Sequence, residues 1–259
     1  MKLCTLLENT TCRNDLCAEH GLSLYMETDK HKLLFDMGQS DAFAINAQKL
    51  QIDLMQVDTA ILSHGHYDHG GGLAKFLSIN QQAPVYLNHH GFGEHYHGST
   101  RYIGLAPELA VSKRIRLTDD YYPIDEQLEL YSCNDRLPVT PINAYGLTLH
   151  QNNSFLPDPF LHEQYLLIYE KGKKILISGC SHKGILNLMH WFQPDIFVGG
   201  FHFKDIDDSA LLKQHAETLL QYPTQYYTGH CTGAEQYATL KDVMGHRLEA
   251  LSTGKIMEI

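Results

Sequence analysis

The 259-residue sequence has no excess of basic residues, and this absence limits the partners that it could have. It carries 20 Lys and Arg against 30 Asp and Glu, a formal net charge of −10, and it contains no strongly basic stretch. Because neutralisation of phosphates by Lys and Arg supplies most non-specific affinity for nucleic acid, we do not expect a dedicated nucleic-acid binder. A nuclease stays compatible with this charge, since a metal pair can attract phosphate locally.

Long hydrophobic runs are lacking as well, and the cysteines do not cluster. No apolar run approaches the roughly 20 residues of a membrane-spanning helix, and residues 1–8 lack the long apolar segment of a signal peptide. The cysteines show no zinc-ribbon spacing, and they are Cys4, Cys12, Cys17, Cys133, Cys180 and Cys231. We therefore expect a cytoplasmic protein with reduced thiols and no membrane contact. A disulfide between Cys12 and Cys17 is the competing interpretation.

The hydrophobic pattern predicts an α/β fold. Short apolar runs that are typical of strands alternate with segments of helical periodicity. The main predicted strands are residues 2–8, 22–27, 32–35, 57–62, 85–87, 165–169, 174–178, 195–198, 225–228 and 256–259, and the main predicted helices are residues 42–50, 185–192, 209–221 and 233–243. With the strands paired into two sheets and the helices outside both, the chain forms an αββα sandwich of four layers. No linker divides residues 1–259, so we expect one domain.

One ten-residue stretch, residues 63–72, concentrates side chains that bind metals. It reads Ser-His-Gly-His-Tyr-Asp-His-Gly-Gly-Gly and follows the predicted strand 57–62. Three imidazoles and a carboxylate within six residues cannot share one face of a regular strand or helix, but they can converge in a glycine-flanked loop. Imidazole is a good ligand for zinc and similar ions, and a carboxylate adds negative charge. The four predicted ligands are His64, His66, Asp68 and His69.

The run His64-x-His66-x-Asp68-His69 resembles the signature of the metallo-β-lactamase superfamily. Further segments extend the resemblance over nearly the whole chain, and they are residues 34–38, 178–182, 199–202 and 229–233. They resemble one branch in particular, the dihydropteroate-synthase-like proteins named after a methanopterin-biosynthesis enzyme. The superfamily hosts hydrolases, nucleases and oxidoreductases on one scaffold, so the resemblance implies the fold without fixing the reaction.

The resemblance implies further ligands where later strands end. His230 follows the predicted strand 225–228 and matches the last histidine ligand of the superfamily. Cys180 stands where most members have a bridging Asp and some zinc lactamases a Cys, and a thiolate there favours zinc or iron. A small buried thiol is the alternative role for Cys180. His182, two residues further on, could be the ligand instead, with Cys180 beneath it.

One departure from the family pattern leaves the ligand set open. The usual histidine between the signature and the bridging residue should lie within residues 157–164, and His162 has about the right distance from Cys180. Relatives in this branch tend to carry an acidic residue there. Either His162 is a true ligand, or the metal shell is rebuilt with His182.

The resemblance also suggests roles for two residues outside the ligand set. The matching Asp of the superfamily lies just behind the metal site, so we expect Asp36 to orient ligands rather than to bind metal. An Asp in a tight turn before a helix is the alternative. The superfamily pattern assigns no metal to the position of His202, so we expect a catalytic acid or a substrate contact there. A packed core histidine is the competing interpretation of His202.

Residues 88–140 lack clear periodicity, and we expect them to form a variable region that carries specificity or acts as a lid. Its polar and aromatic side chains include His89, His90, His95, Tyr96, His97, Arg101, Tyr102, Tyr121 and Tyr122. These histidines have no carboxylate or cysteine partner in a recognisable spacing, so a substrate-facing surface is expected here rather than a second metal site. Short strands are predicted over residues 115–117 and 127–131.

These observations predict a metal-dependent hydrolase for a small-molecule substrate. Two divalent ions, zinc or alternatively iron or manganese, would lower the pKa of a bridging water and polarise a carbonyl or phosphoryl oxygen. Asp68 would bind metal and orient the nucleophile. The expected substrate is a small phosphorylated, ester or cyclic compound. The alternative function is an iron-loaded oxidoreductase or a pterin-related transferase or synthase on the same site.

Overall fold

The computed structural model describes all 259 residues, and strands account for most of its regular structure. The strands are β1 (Lys2–Leu7), β2 (Ser23–Glu27), β3 (Lys32–Phe35), β4 (Thr59–Ile61), β5 (Val85–Asn88), β6 (His95–His97), β7 (Arg101–Tyr102), β8 (Ile115–Thr118), β9 (Tyr121–Pro123), β10 (Leu128–Tyr131), β11 (Leu147–Gln151), β12 (Ser154–Pro157), β13 (Tyr165–Glu170), β14 (Lys173–Ile177), β15 (Ile196–Val198), β16 (Gln225–Thr228), β17 (Leu248–Ala250) and β18 (Ile256–Glu258). The helices are α1 (Ala42–Lys49), α2 (Tyr67–Gly70), α3 (Leu73–Ile79), α4 (Ile185–Phe192), α5 (Ser209–Leu220) and α6 (Ala234–Met244). Short 3-10 helices span Leu54–Gln56, Pro107–Val111, His230–Thr232 and Gly245–Arg247. None of the helices is long and apolar enough to cross a bilayer.

The strands form two seven-stranded sheets and one four-stranded sheet. The first sheet has the order β18-β1-β2-β3-β4-β5-β8, the second β17-β16-β15-β14-β13-β10-β9, and the small sheet β12-β11-β6-β7. Each large sheet has an antiparallel part and a parallel part, and the parallel parts are β3-β4-β5-β8 and β14-β15-β16-β17. Parallel neighbours need crossover connections, and most of the helices lie in these connections.

Three apolar layers make up the core. The inner layer lies between the two large sheets and joins side chains such as Leu24, Phe35 and Ile61 of the first sheet to Ile168, Ile175 and Ile177 of the second. One outer layer packs α1 and α3 against the first sheet through Phe43 and Phe76. The other packs α4, α5 and α6 against the second sheet. Two sheets between two helical layers confirm the αββα sandwich.

Strand β14 shows how one strand provides apolar side chains to both faces of a sheet. Ile175 and Ile177 belong to the inner layer, whereas Leu176 packs in the outer layer with the helices. Successive side chains of a strand point to opposite faces, and here both faces are covered. The strand therefore has a continuous apolar run rather than an alternating one, as buried parallel strands do.

The parallel strands place the candidate site residues at one edge of the sandwich. The end of β3 leads to Asp36 and the end of β4 leads to residues 63–72. In the second sheet, β14 leads to Cys180, β15 to His202 and β16 to His230. Because parallel strands end at the same edge of a sheet, polar loops that are far apart in the sequence meet there.

Residues 88–140 are divided among the three sheets. The predicted strands 115–117 and 127–131 are confirmed as β8 of the first sheet and β10 of the second. Tyr121 and Tyr122 lie on β9, and Tyr122 packs against the inner core layer. Tyr122 therefore supports the second sheet, whereas Tyr121 is 48% exposed on the same edge strand.

The small sheet was not expected from the sequence. Its strands β11 and β12 carry half-exposed or exposed side chains throughout. Such strands lack the apolar run or the clear alternation that hydrophobic patterning detects. Their pairing with β6, on the far side of the variable region, depends on long-range contacts.

We expect Leu176→Ala to lower the free energy of unfolding by about 2–5 kcal/mol, because it opens a cavity in a close-packed layer. Leu176 is fully buried, whereas Val111 is 86% exposed and serves as the control site. Val111→Ala should change the free energy by no more than about 0.5 kcal/mol. Urea unfolding of both variants measures the difference, and equal effects would contradict the packing described here.

Candidate metal centre

The loop between β4 and α2 carries the signature residues on a tightly constrained path. A Cβ atom at Gly65 would lie 2.1 Å from the carbonyl oxygen of Gly91, so only glycine fits there. The backbone N–H of Gly65 donates to Nδ1 of His162 over 2.9 Å, and that of Tyr67 donates to the carbonyl of Ile103. The loop is thereby held between the small sheet and the segment before β13.

The first group of candidate ligands contains His64, His66 and His182. All three are buried, and one donor atom of each lies within 4.8 Å of the other two. The Nε2 atoms of His64 and His182 are 3.4 Å apart, which matches the roughly 3.3 Å between two ligands whose tetrahedral bonds to zinc are about 2.0–2.1 Å long. Burial, followed by the neighbouring imidazoles, lowers the pKa of each ring. The rings are therefore neutral at pH 7, as metal binding requires.

The second group contains His69, Asp68, His230 and Cys180. Nε2 of His69 lies 3.1 Å from Sγ of Cys180 and 3.2 Å from Nε2 of His230. Oδ2 of Asp68 lies 3.3 Å from Nε2 of His230 and 3.8 Å from Nε2 of His69. Four donors at these separations, of imidazole, carboxylate and thiol type, suit one tetrahedral zinc or iron ion.

Asp36 holds the second group in place. Its Oδ2 accepts hydrogen bonds from Oγ of Ser63 over 2.7 Å and from Nδ1 of His69 over 2.6 Å, and its Oδ1 accepts from the backbone N–H of Ser63. A carboxylate on Nδ1 fixes the proton there and leaves Nε2 free to bind a metal ion. Asp36 thus lies behind the site with its carboxylate directed at a ligand, as the resemblance implies.

The second group also attracts positive charge. Burial alone would lower the pKa of His69, but Asp36 and Asp68 raise it to about 9. Burial, with the Cys231 thiol and the Asp68 carboxylate nearby, raises the pKa of Cys180 well above its ordinary value. A divalent cation at this point would replace the proton on His69 and stabilise the thiolate of Cys180.

His230 is oriented by two residues that sequence reasoning did not identify. Its Nδ1 lies 3.0 Å from Oδ1 of Asn9, and its backbone N–H donates to the carboxylate of Glu8. Both residues follow directly after β1. In the sequence, the feature that could have identified them is a pair of polar residues directly after the apolar strand β1.

Four non-glycine residues around the site have left-handed backbone conformations. They are Asp36 (φ 57°), Ser181 (φ 58°), His202 (φ 55°) and His230 (φ 49°). Each such conformation costs about 1–3 kcal/mol and concentrates at functional sites. Beside Ser181, the carboxylate of Glu163 accepts the backbone N–H groups of His182 and Lys183 over 2.7 Å and 3.0 Å. Glu163, buried and also missed from the sequence, thereby holds His182 at the first group.

His162 is placed outside both groups. Its Nδ1 accepts the Gly65 N–H, so a neutral His162 carries its proton on Nε2, which lies 3.4 Å from Oδ2 of Asp158. Neither nitrogen then offers a free lone pair to an ion. The geometry thus favours His182 over His162 beside His64 and His66.

The variable region brings His95 to His162 as well. His95 is buried, and its Nδ1 lies 2.8 Å from Oδ2 of Asp158. No carboxylate stands at a recognisable spacing from His95 in the sequence, yet the fold supplies Asp158 as its partner. Asp158 is 63 residues away in the chain, and the pairing of β6 with β11 and of β11 with β12 brings the two together.

A cavity of about 100 Å³ opens onto the two groups. Its lining includes His66, Asp68, Cys180, His182, His202 and His230, and also the basic side chains of His20, Arg101 and Lys204. The ring of His202 lies 4.5 Å from that of His182, centroid to centroid. Burial lowers the pKa of His202 to about 4, so its ring is neutral. His89 and His90 line a separate cavity on the other side of His95.

The sequence matches the model of a known protein family over most of its length. The sequence model described as the metallo-beta-lactamase superfamily matches residues 18–220. The chain belongs to this superfamily. The match includes the signature loop, Cys180, His182 and His202, and His230 lies just beyond it.

Two relatives match over nearly the whole chain. The chain is 27% identical to the uncharacterised protein MJ0448 of Methanocaldococcus jannaschii, over 98% of this chain and 99% of that one. It is 26% identical, over 100% of this chain and 96% of the other, to a protein of the same organism named 7,8-dihydropterin-6-methyl-4-(beta-D-ribofuranosyl)-aminobenzene-5'-phosphate synthase.

Solved structures are similar in fold. The crystal structure of Tm1679, described as a metal-dependent hydrolase of the beta-lactamase superfamily, matches with a TM-score of 0.83 and 26% identity over 100% of this chain and 99% of that one. The metallo-beta-lactamase fold protein YhfI from Bacillus subtilis matches with a TM-score of 0.62 and 13% identity over 100% and 98% of the two chains. The second likeness concerns the fold alone.

The residues present fit the divalent ions that this superfamily implies. Each group gathers buried donor atoms at ligand-to-ligand separations, with Nε2 of His64 and Nε2 of His182 3.4 Å apart and Nε2 of His69 3.1 Å from Sγ of Cys180. The donors combine imidazole, carboxylate and thiol, which suits zinc or iron.

We expect Cys180→Ser and His182→Ala each to lower the number of metal ions per chain, because each residue belongs to one donor group. Elemental analysis of the purified variants measures this number. Cys12→Ser, at an exposed cysteine that belongs to neither donor group, is the matched control and should keep the wild-type metal content. Full metal content in both site variants would exclude these two residues from the ligand set.

Proposed function

We propose that the protein is a metal-dependent hydrolase with a dinuclear metal centre. His64, His66 and His182 would hold one ion, and Asp68, His69, His230 and Cys180 the other. The observation that carries this proposal is the pair of buried donor groups, which meet at His64, whose donor atom lies within 4.8 Å of those of His69 and Cys180. Two bound divalent ions supply a hydroxide at neutral pH and a polarised substrate oxygen.

Asp68 is the residue best placed to act on the nucleophile. Its Oδ2 lies 3.2 Å from Nε2 of the half-exposed His20 and 3.3 Å from Nε2 of His230. Burial opposes ionisation of Asp68, but His69, His20 and His230 keep its pKa well below the ordinary value. An ionised carboxylate at the mouth of the site can bind metal and orient a water for attack.

His202 has a narrower role than a general acid. With a pKa of about 4 it carries no spare proton at neutral pH. A neutral imidazole in the cavity wall can donate one hydrogen bond to the substrate or receive a proton from it. We therefore assign His202 to substrate contact beside the ion held by His182.

The cavity indicates a small anionic substrate. Arg101 and Lys204 bring positive charge to a protein whose net charge is −10. Nη2 of Arg101 is held 2.9 Å from the hydroxyl of Tyr67, next to the signature residues. At about 100 Å³ the cavity is smaller than the ~300 Å³ or more of ordinary ligand pockets, so it would admit only the reacting group. A phosphate ester, with a carboxylic or cyclic ester as alternative, fits these features.

A second candidate function is a pterin-related synthase or transferase, or an oxidoreductase with iron. The relative named as an aminobenzene-5'-phosphate synthase is similar over the whole chain, and this likeness is what supports the dihydropteroate-synthase-like branch. Cys180 supports it too, since thiolate accepts iron as readily as zinc. Iron in the purified protein, with hydrolysis absent, would favour this function.

We expect Asp68→Asn to abolish most hydrolysis of a chromogenic phosphodiester or carboxylic ester, by about 100-fold or more in kcat, since one metal-binding carboxylate is lost. Steady-state kinetics of the zinc-loaded and manganese-loaded proteins measure this. Asp119→Asn, on a 92% exposed side chain, is the control and should not change the rate. Wild-type hydrolysis that survives in Asp68→Asn, or after complete chelation, would contradict the proposal.

We expect Arg101→Ala to raise KM for an anionic substrate about 10-fold while leaving metal content and melting temperature unchanged, because it removes a cation from the cavity mouth. Arg116→Ala, an exposed arginine on β8 outside the cavity, is the matched control. A loss of metal or of stability in Arg101→Ala would make this arginine structural.

A further inference from the structure

His66 belongs to two clusters of side chains. One is the first donor group with His64 and His182, and the other joins it to His95, Asp158 and His162. In the second cluster too, one donor atom of each residue lies within 4.8 Å of the others, and all four residues are buried. An imidazole that binds an ion through one nitrogen carries its proton on the other. The second cluster is therefore where the outer N–H of His66 must find an acceptor.

The proton positions in this cluster are determined by its hydrogen bonds. Oδ1 of Asp158 accepts the backbone N–H of Phe160 over 2.7 Å, and Oδ2 lies 2.8 Å from Nδ1 of His95. His162 directs its Nε2 to the same oxygen at 3.4 Å. Because the carboxylate only accepts, Nδ1 of His95 donates, and a neutral His95 has its lone pair on Nε2.

Three nitrogens of the cluster are buried without a hydrogen-bond partner. One of them, Nε2 of His162, carries a proton and faces Asp158 at 3.4 Å, and the other two are complementary. Nε2 of His66 and Nε2 of His95 are both buried and make no hydrogen bond. His66 is 4% exposed and His95 is 1% exposed, so bulk water does not compensate either atom. The rings of the two residues stand edge to face with their centroids 5.6 Å apart. Nε2 of His66 needs a hydrogen-bond acceptor when His66 binds metal, and Nε2 of His95 offers a lone pair.

We propose that His95 and Asp158 are positioning residues for the metal ligand His66. Asp158 holds His95 in the tautomer that accepts the outer N–H of His66, directly or through one bridging water. This chain of hydrogen bonds from Asp158 through His95 to His66 orients the ring of His66 and makes it a more basic metal ligand. The inference depends on the proposed metal centre, but the state of His95 can be measured without metal.

Substitution of His95 separates this role from plain packing. His95→Phe keeps the ring and removes the acceptor, whereas His95→Gln supplies an amide oxygen that can accept the same hydrogen bond. Competition with a chelator should show metal bound about 10–100-fold more weakly in His95→Phe, as is usual for the loss of an outer partner of a ligand. His95→Gln should stay within about threefold of wild type, and so should the control His90→Phe, at an exposed histidine of the neighbouring cavity.

Nitrogen NMR of the metal-free wild-type protein provides the independent measurement. We expect His95 to carry its proton on Nδ1 alone, and a proton on Nε2 would overturn the proposal. Equal metal affinity in His95→Phe and wild type would overturn it as well. Loss of one whole ion from His95→Phe, with unchanged affinity for the others, would show that the cluster is itself a cation site. A wild-type protein that binds no metal would instead refute the dinuclear centre, while the NMR result would still decide the tautomer of His95.

Discussion

The buried carboxylate of Asp36 is the constraint on which the metal centre depends. It accepts hydrogen bonds from Ser63 and His69, and so it joins the end of β3 to the signature loop after β4. His69, once fixed, reaches Cys180 and His230 on the other sheet. The contact between the two halves of the sandwich at this edge is therefore made by candidate metal ligands, and the fold and the site stabilise each other.

Electrostatics explains why such a site favours a cation. The groups that meet there are imidazoles, carboxylates and a thiol, all desolvated. Burial disfavours the charged form of each, yet Asp68 stays ionised and the pKa of His69 is raised to about 9. Both pKa shifts indicate that the site without an ion lacks positive charge. A divalent ion meets that shortage, and its absence would have to be compensated by protons.

The supporting residues come from unrelated parts of the chain. Asn9 orients His230, Glu163 holds the backbone at His182, and Asp158 holds His95 beside His66. A ligand that is held from behind loses less entropy when an ion binds and is better preorganised for catalysis. The small sheet, which has no part in the main core, contributes to this support, since β6 carries His95 and β12 leads to Asp158.

The sequence by itself determined the strand pattern of the four-layer fold and the signature loop, because continuous strand patterns and closely spaced donors are local properties. Its resemblance to a known superfamily added Asp36, Cys180 and His230 as candidate site residues. It also offered His182 and His162 as alternative metal ligands, and the sequence could not decide between them. The tertiary structure favoured His182, since the N–H of Gly65 occupies one nitrogen of His162 and Glu163 holds the backbone of His182. It alone paired His95 with Asp158, and it alone brought Glu8 and Asn9 to His230. These contacts join residues 63 to 222 positions apart, and no pattern along a chain records which loops a folded sheet brings to the same edge.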